Sequence, residues 1–113
     1  MTSEHLRIDV RNAPDRVVLV LHGELDLLGA PLLQKQVESA EVEAKGIVVL
    51  DLEELQFIDS AGLRVILAAH ERAQDQGHEL ALTQGPEQVR RLFTIAGVNK
   101  HLRIIGSPDE LLV

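Results

Sequence analysis

The chain has 113 residues, 45% of them apolar, 26% charged and 2% aromatic, and its formal net charge is -7. That length allows one hydrophobic core, and the Leu, Val, Ile and Ala content excludes disorder, so residues 1–113 are expected to form a single domain. The negative charge and the shortage of aromatic rings (Phe57 and Phe93 only) exclude nucleic-acid platforms, leaving a basic or neutral protein surface as the better partner, and the lack of cysteine excludes disulfides and thiolate metal sites.

Leu6, Ile8 and Val10 alternate with Arg7, Asp9 and Arg11, the period of a half-buried strand. Asn12 to Asp15 is turn chemistry, and Arg16 to His22 follows closely enough to make an antiparallel hairpin. Gly23-Glu24-Leu25-Asp26 is expected to end that strand. Gly29-Ala30-Pro31 then opens a helix facing inward through Leu33, Val37, Ala40 and Ala44. Gly46 to Leu52 carries a continuous apolar run suited to a central strand covered on both faces. Glu53 to Ile58 reads as a short approach to a second helix, about Ser60 to Gln76. Its inward residues are Leu63, Ile66, Leu67 and Ala73, and Gly77 stops it. His78 to Thr83 is the next strand. Gly85-Pro86 opens a third helix with the stripe Val89, Leu92, Phe93 and Ala96, and Leu102 to Ile105 is a last short strand. Ser107-Pro108-Asp109-Glu110 has the form of a capping box and predicts a terminal helix. The expected order is β-β-α-β-α-β-α-β-α, a mixed, mostly parallel sheet of the α/β class with packed helices.

No run approaches the 18 or so apolar residues of a membrane span, and Met1 to Arg7 holds no signal-peptide core. A cytoplasmic protein without membrane insertion is therefore expected. The histidines His5, His22, His70, His78 and His101 are scattered, none at the spacings of a zinc site, so neither a metal nor a cofactor is expected. A nucleophile elbow needs G-x-S-x-G, and Ile58-Asp59-Ser60-Ala61-Gly62 lacks the leading glycine. Neither G-x-G-x-x-G nor a P-loop occurs. A serine hydrolase or nucleotide-binding protein is thus the weakest of the readings.

The most informative residues are Asp59-Ser60-Ala61-Gly62-Leu63. They set a serine hydroxyl at the first turn of a helix, where free N–H groups and the positive end of the helix dipole favour a phosphoryl group. The same residues describe an ordinary helix cap, with Asp59 accepting from the first turn. If the second and third strands are parallel, Asp26 and Asp59 emerge on one edge with Ser60. Gly62 is expected to serve contact with a partner more than folding, tolerating alanine in stability but not in binding.

Gly23-Glu24-Leu25-Asp26, Leu50-Asp51-Leu52, Phe57 to Leu63 and Val89-Arg90-Arg91-Leu92-Phe93, in that order and spacing, resemble the STAS domain of bacterial anti-sigma-factor antagonists. The resemblance covers nearly the whole chain, roughly Leu6 to Val113. It implies a partner-switching module that is not an enzyme. The unphosphorylated protein binds an anti-sigma factor that is also a serine kinase and so frees a sigma factor. Phosphorylation of the serine ends binding, and a serine phosphatase resets it. Carried over, the phosphorylated residue is Ser60, and Asp26, Asp59, Gly62 and Leu63 are the partner-binding residues. Two positions depart from the family pattern: Ala61 replaces a frequent second hydroxyl, and Arg64 stands where a small residue is common. An alternative within the same fold is an accessory subunit of a membrane transporter that docks on its ATPase. The oligomeric state is left open by the sequence.

Overall fold

The computed structural model describes residues 1–43 and 46–111. In chain order the elements are β1 (Leu6–Asn12), β2 (Val17–Leu25), α1 (Ala30–Glu43), β3 (Ile47–Asp51), β4 (Leu55–Ile58), α2 (Ser60–Gln76), β5 (Glu79–Thr83), α3 (Glu87–Ile95) and β6 (Arg103–Ile105). The expected hairpin forms, with Leu6 opposite Gly23 and Asn12 opposite Val17. The sheet runs β1-β2-β3-β5-β6, and every pair beyond β1 and β2 is parallel. Each parallel step needs a long crossover, which α1, α2 and α3 supply.

One side of the sheet carries the main core. Leu19, Leu21 and Leu25 of β2, Leu50 of β3 and Leu82 of β5 pack there against Leu33 and Val37 of α1, Leu63 and Ile66 of α2, and Val89 and Phe93 of α3. The opposite side holds a smaller cluster, Val18, Val49, Ala81 and Ile105. No helix contributes to that cluster among the described residues. The segment after β6 crosses this side instead. Buried Arg16, just before β2, donates from Nη1 to the carbonyls of Pro108 and Glu110 at 3.0 and 2.9 Å. Its other guanidinium nitrogens pair with Asp15 at 3.1 and 2.9 Å, which holds the Asp15 carboxyl below its ordinary value of 3.8.

The α/β class and the mostly parallel sheet are as the sequence implies, while the element order differs in two places. The approach Glu53 to Ile58 contains a strand, β4, which pairs with the far half of β2. The terminal helix is absent among the described residues. In place of the capping-box pairs, Ser107 Oγ accepts the Asp109 N–H at 3.3 Å and Glu110 Oε1 accepts the Gly106 N–H at 3.0 Å, each donor one residue early. Arg16 takes the Pro108 carbonyl, an acceptor that a continuing helix would use, and holds the Glu110 carbonyl as well. Smaller shifts are instructive as well. β2 runs through Gly23-Glu24 to Leu25 rather than stopping at His22, because β1 and β4 both pair there. Ala96 caps α3 and is exposed, whereas Val89 and Phe93 are buried as expected. Ala44, the last inward position expected on α1, lies outside the described residues.

Candidate functional site

The site lies where β2 and β4 end side by side. Leu25 pairs with Ile58, so Asp26 and Asp59 each stand one residue beyond a matched pair, and both loops leave the same edge. The Asp59 N–H donates to the Leu25 carbonyl at 3.1 Å, which joins the two strand ends directly.

Each carboxylate is already engaged. Asp26 Oδ1 accepts the N–H groups of Leu28 at 3.1 Å and Gly29 at 3.0 Å, folding the chain into the start of α1. Asp59 is the N-cap of α2: its Oδ1 accepts from Ala61 N at 2.9 Å and Gly62 N at 3.1 Å. Its Oδ2 reaches across to the Leu27 N–H at 3.1 Å, tying the first loop to the second. The cap reading of Asp59 is therefore correct as geometry, and it alters the electrostatics expected for the helix start. The N–H groups of Ala61 and Gly62 are occupied, and Leu63 N donates to the Asp59 carbonyl. A phosphoryl group on Ser60 would not find those donors free.

Ser60 is the first residue of α2 and is exposed. Among the described residues its hydroxyl has no hydrogen-bond partner. Two large apolar side chains of the loop after β2 are exposed, Leu27 at 71% and Leu28 at 59%. Between α1 and α2, a groove of about 360 Å³ is lined by Leu27, Pro31, Gln34, Ala61, Arg64 and Arg72, among others. Arg72 is tied to Glu41 of α1 through a bond of 2.7 Å from Nη2, with Nε bridging both carboxylate oxygens; that pairing holds the guanidinium more firmly protonated than usual.

Gly62 and Leu63, the other two expected contact residues, are buried in the first turn of α2. A Cβ on Gly62 would stand 2.5 Å from Leu25 Cγ and 2.8 Å from the Leu25 carbonyl oxygen. The expectation that alanine would be tolerated there in folding is overturned: the glycine lets α2 approach the end of β2. Leu63 fills the core below it. Together they fix the height of Ser60 above the sheet.

Sequence reasoning missed Gln88. From α3, its Oε1 accepts the Ile58 N–H at 2.9 Å and its Nε2 donates to the Ile58 carbonyl at 3.1 Å. An amide side chain thus stands in for a neighbouring strand on the open edge of β4, one residue before Asp59. A glutamine in the first turn of a helix gave no local sign of this. On another part of the surface His70 and His101 share one depression, with His78 alongside, but no cluster able to hold a metal occurs among the described residues.

An open sheet with helices on one side, mostly parallel strands and paired loops at their carboxyl ends defines a small open α/β domain. The STAS domain family model matches residues 7–111, and the chain belongs to that family. It is 30% identical over 110 residues to an anti-sigma F factor antagonist of Paenibacillus polymyxa, covering 96% of this chain and 93% of that one. The crystal structure of an anti-sigma factor antagonist from Mycobacterium paratuberculosis superposes with a TM-score of 0.84 at 20% identity, over 96% of this chain and 93% of the other. The Bacillus cell fate determinant SpoIIAA in its phosphorylated form superposes with a TM-score of 0.68 at 20% identity, over 88% and 91% of the two chains.

Proposed function

We propose that this protein is an anti-sigma-factor antagonist of a partner-switching pathway. Its unphosphorylated form binds an anti-sigma factor that is also a serine kinase, and the bound kinase releases its sigma factor. Phosphorylation of Ser60 ends the complex, and a serine phosphatase restores it. The protein acts by binding, in the cytoplasm, and catalyses nothing itself. The observation that carries this reading is the exposed hydroxyl of Ser60 at the head of α2, between two loops braced by Asp26 and Asp59. The relatives' names support the class of partner, and a relative of the same fold solved in a phosphorylated form supports the kind of switch.

The geometry favours an interface mechanism over a folding one. A phosphoserine adds about -1.5 to -2 charge. At Ser60 that charge lies in solvent beside a cap that is already complete, so the fold has little reason to respond. Buried against a partner without a matching cation, the same dianion costs several kcal/mol, about a thousandfold in affinity. The test is partner affinity and thermal melting for the wild type, Ser60→Ala, Ser60→Asp and the phosphorylated protein. Ser60→Ala should bind and stay bound in ATP, because Ala61 offers no second hydroxyl. The phosphorylated protein should bind about a thousandfold more weakly with nearly unchanged melting. Equal affinity across all four forms removes Ser60 from the switch. Capture of a transporter ATPase in place of a kinase would replace the reading with that of a transporter subunit.

A further inference from the structure

We infer that Arg64 is the internal counter-ion of phosphorylated Ser60, so that the modified site binds its own phosphate before any partner or phosphatase meets it. This rests on the proposed modification of Ser60 and names the residue that receives the group.

Three observations lead to it. Ser60 and Arg64 are four residues apart on α2, both exposed, and share one helix face. Helical side chains lean toward the N-terminus, so the arginine stem runs toward the turn that holds the serine. The order, acid first and base four residues on, is also the favourable one for such pairs.

Next, most of the backbone donors that could receive phosphate at this helix start are taken. Asp59 occupies the N–H groups of Ala61 and Gly62 with Oδ1, and its backbone carbonyl accepts from Leu63. Apart from its own N–H, a phosphate at Ser60 must find its hydrogen bonds among side chains.

The third observation concerns which cations are available. Arg72, at the other end of the groove, is held by Glu41. Arg64 lines the same groove and makes no hydrogen bond or ion pair with any described residue. The nearby carboxylates do not compete for it. Asp59 directs one oxygen to Ala61 and Gly62 and the other to Leu27, while Asp26 faces Leu28 and Gly29. A planar guanidinium that is always charged suits a phosphate through two parallel hydrogen bonds, which an ammonium cannot match.

Modification then changes the groove as well as the serine. With a hydroxyl at Ser60, Arg64 is open at the mouth of the α1–α2 groove. With phosphate there, it is drawn toward the head of the helix, and part of the new charge is neutralised within the domain.

The experiment installs phosphoserine at position 60 during synthesis, with no kinase involved, in the wild type and in Arg64→Gln and Arg64→Lys. The second ionisation of the phosphate is followed by phosphorus NMR in low and in high salt. In the wild type it should fall about half a unit below that of Arg64→Gln, with Arg64→Lys between them, and the gap should close in high salt. Identical titrations in all three proteins at low salt overturn the inference. Because Arg64 is exposed, melting temperatures should agree and exclude a folding effect. Separate labelling of the unmodified protein by its kinase keeps the two claims distinct. An Arg64-dependent titration with no labelling removes the switch and keeps the pairing, whereas labelling with an Arg64-independent titration does the reverse.

Discussion

Strands β3 and β4 close alike, an apolar run reaching an aspartate that is the last residue of β3 and the first after β4, and the loops then diverge. At the end of β3, Asp51 is buried. Its Oδ1 accepts the hydroxyl of fully buried Thr83 at 2.9 Å and the Glu53 N–H at 3.1 Å, while the Thr83 oxygen accepts the Leu52 N–H at 2.8 Å. After β4, Asp59 also accepts backbone N–H groups, but the next residue projects a hydroxyl into solvent. The first loop is closed on itself by a side chain from the neighbouring strand. The second is braced from below, by Gly62 against Leu25 and by Gln88 against Ile58, and left open above. Two aspartates of like local sequence thus serve packing in one case and presentation in the other. What separates them is the residue each meets from a distant strand or helix.

The contrast can be broken at its closed side first. Thr83→Val keeps the shape of the side chain and removes both of its hydrogen bonds, leaving the Leu52 N–H and part of the Asp51 carboxylate unpaired in the core. The expected loss is about 2–3 kcal/mol in urea denaturation, with partner binding unaffected once folded. Gly62→Ala strikes the brace under the open loop. The steric cost of about 1–3 kcal/mol exceeds the ~1 kcal/mol that alanine gives a helix, so stability should fall by about 1–2 kcal/mol. Unchanged melting would mean that the close approach of Gly62 to Leu25 carries little of the fold's stability. Asp59→Ala should cost about 1 kcal/mol as a lost cap and also free the Leu27 amide. Faster hydrogen exchange at Leu27 than in the wild type would show that the two loops are coupled through this carboxylate. The smallest effect belongs to a third loop, the hairpin turn with Asp15. Its carboxyl titrates below the ordinary 3.8 in the folded chain because of Arg16, so its contribution is complete above that value and is lost as pH falls through the folded one. Asp15→Asn should therefore reduce stability slightly at neutral pH and flatten its fall in acid; an unchanged acid limb would mean that other carboxylates set it.

Much of this architecture could be read from the chain because local signals and tertiary context agree. The alternation of Leu6, Ile8 and Val10, the apolar run Ile47 to Leu50 and the stop at Gly77, with φ of 75°, all appear where the pattern put them. Strand β4 was hidden because a bulge breaks its period: Gln56 and Phe57 are both exposed in succession. The terminal helix failed for a reason residing 90 or so positions away, in Arg16. At the site, the adjacency of Asp26, Asp59 and Ser60 was legible from parallel strands ending together. The burial of Gly62 and the role of Gln88 were not, since both depend on contacts with β2 and β4 that no local pattern encodes.

Strand β2 acts as a ruler for both of its parallel neighbours. Val20 aligns with Asp51 and Leu25 with Ile58, so the chain takes seven residues to travel what β2 covers in five. One surplus residue sits in the turn before Leu55 and the other is Gln56 at the bulge. The position of the Ser60 hydroxyl is therefore measured along β2 and clamped at Ile58, independently of how much chain lies between the two strands. An added residue between the exposed Glu53 and Glu54 would be taken up in the turn, and a change in β2 between Val20 and Leu25 would carry the serine with it. Evolution and engineering can thus vary the length of that turn without re-aiming the hydroxyl.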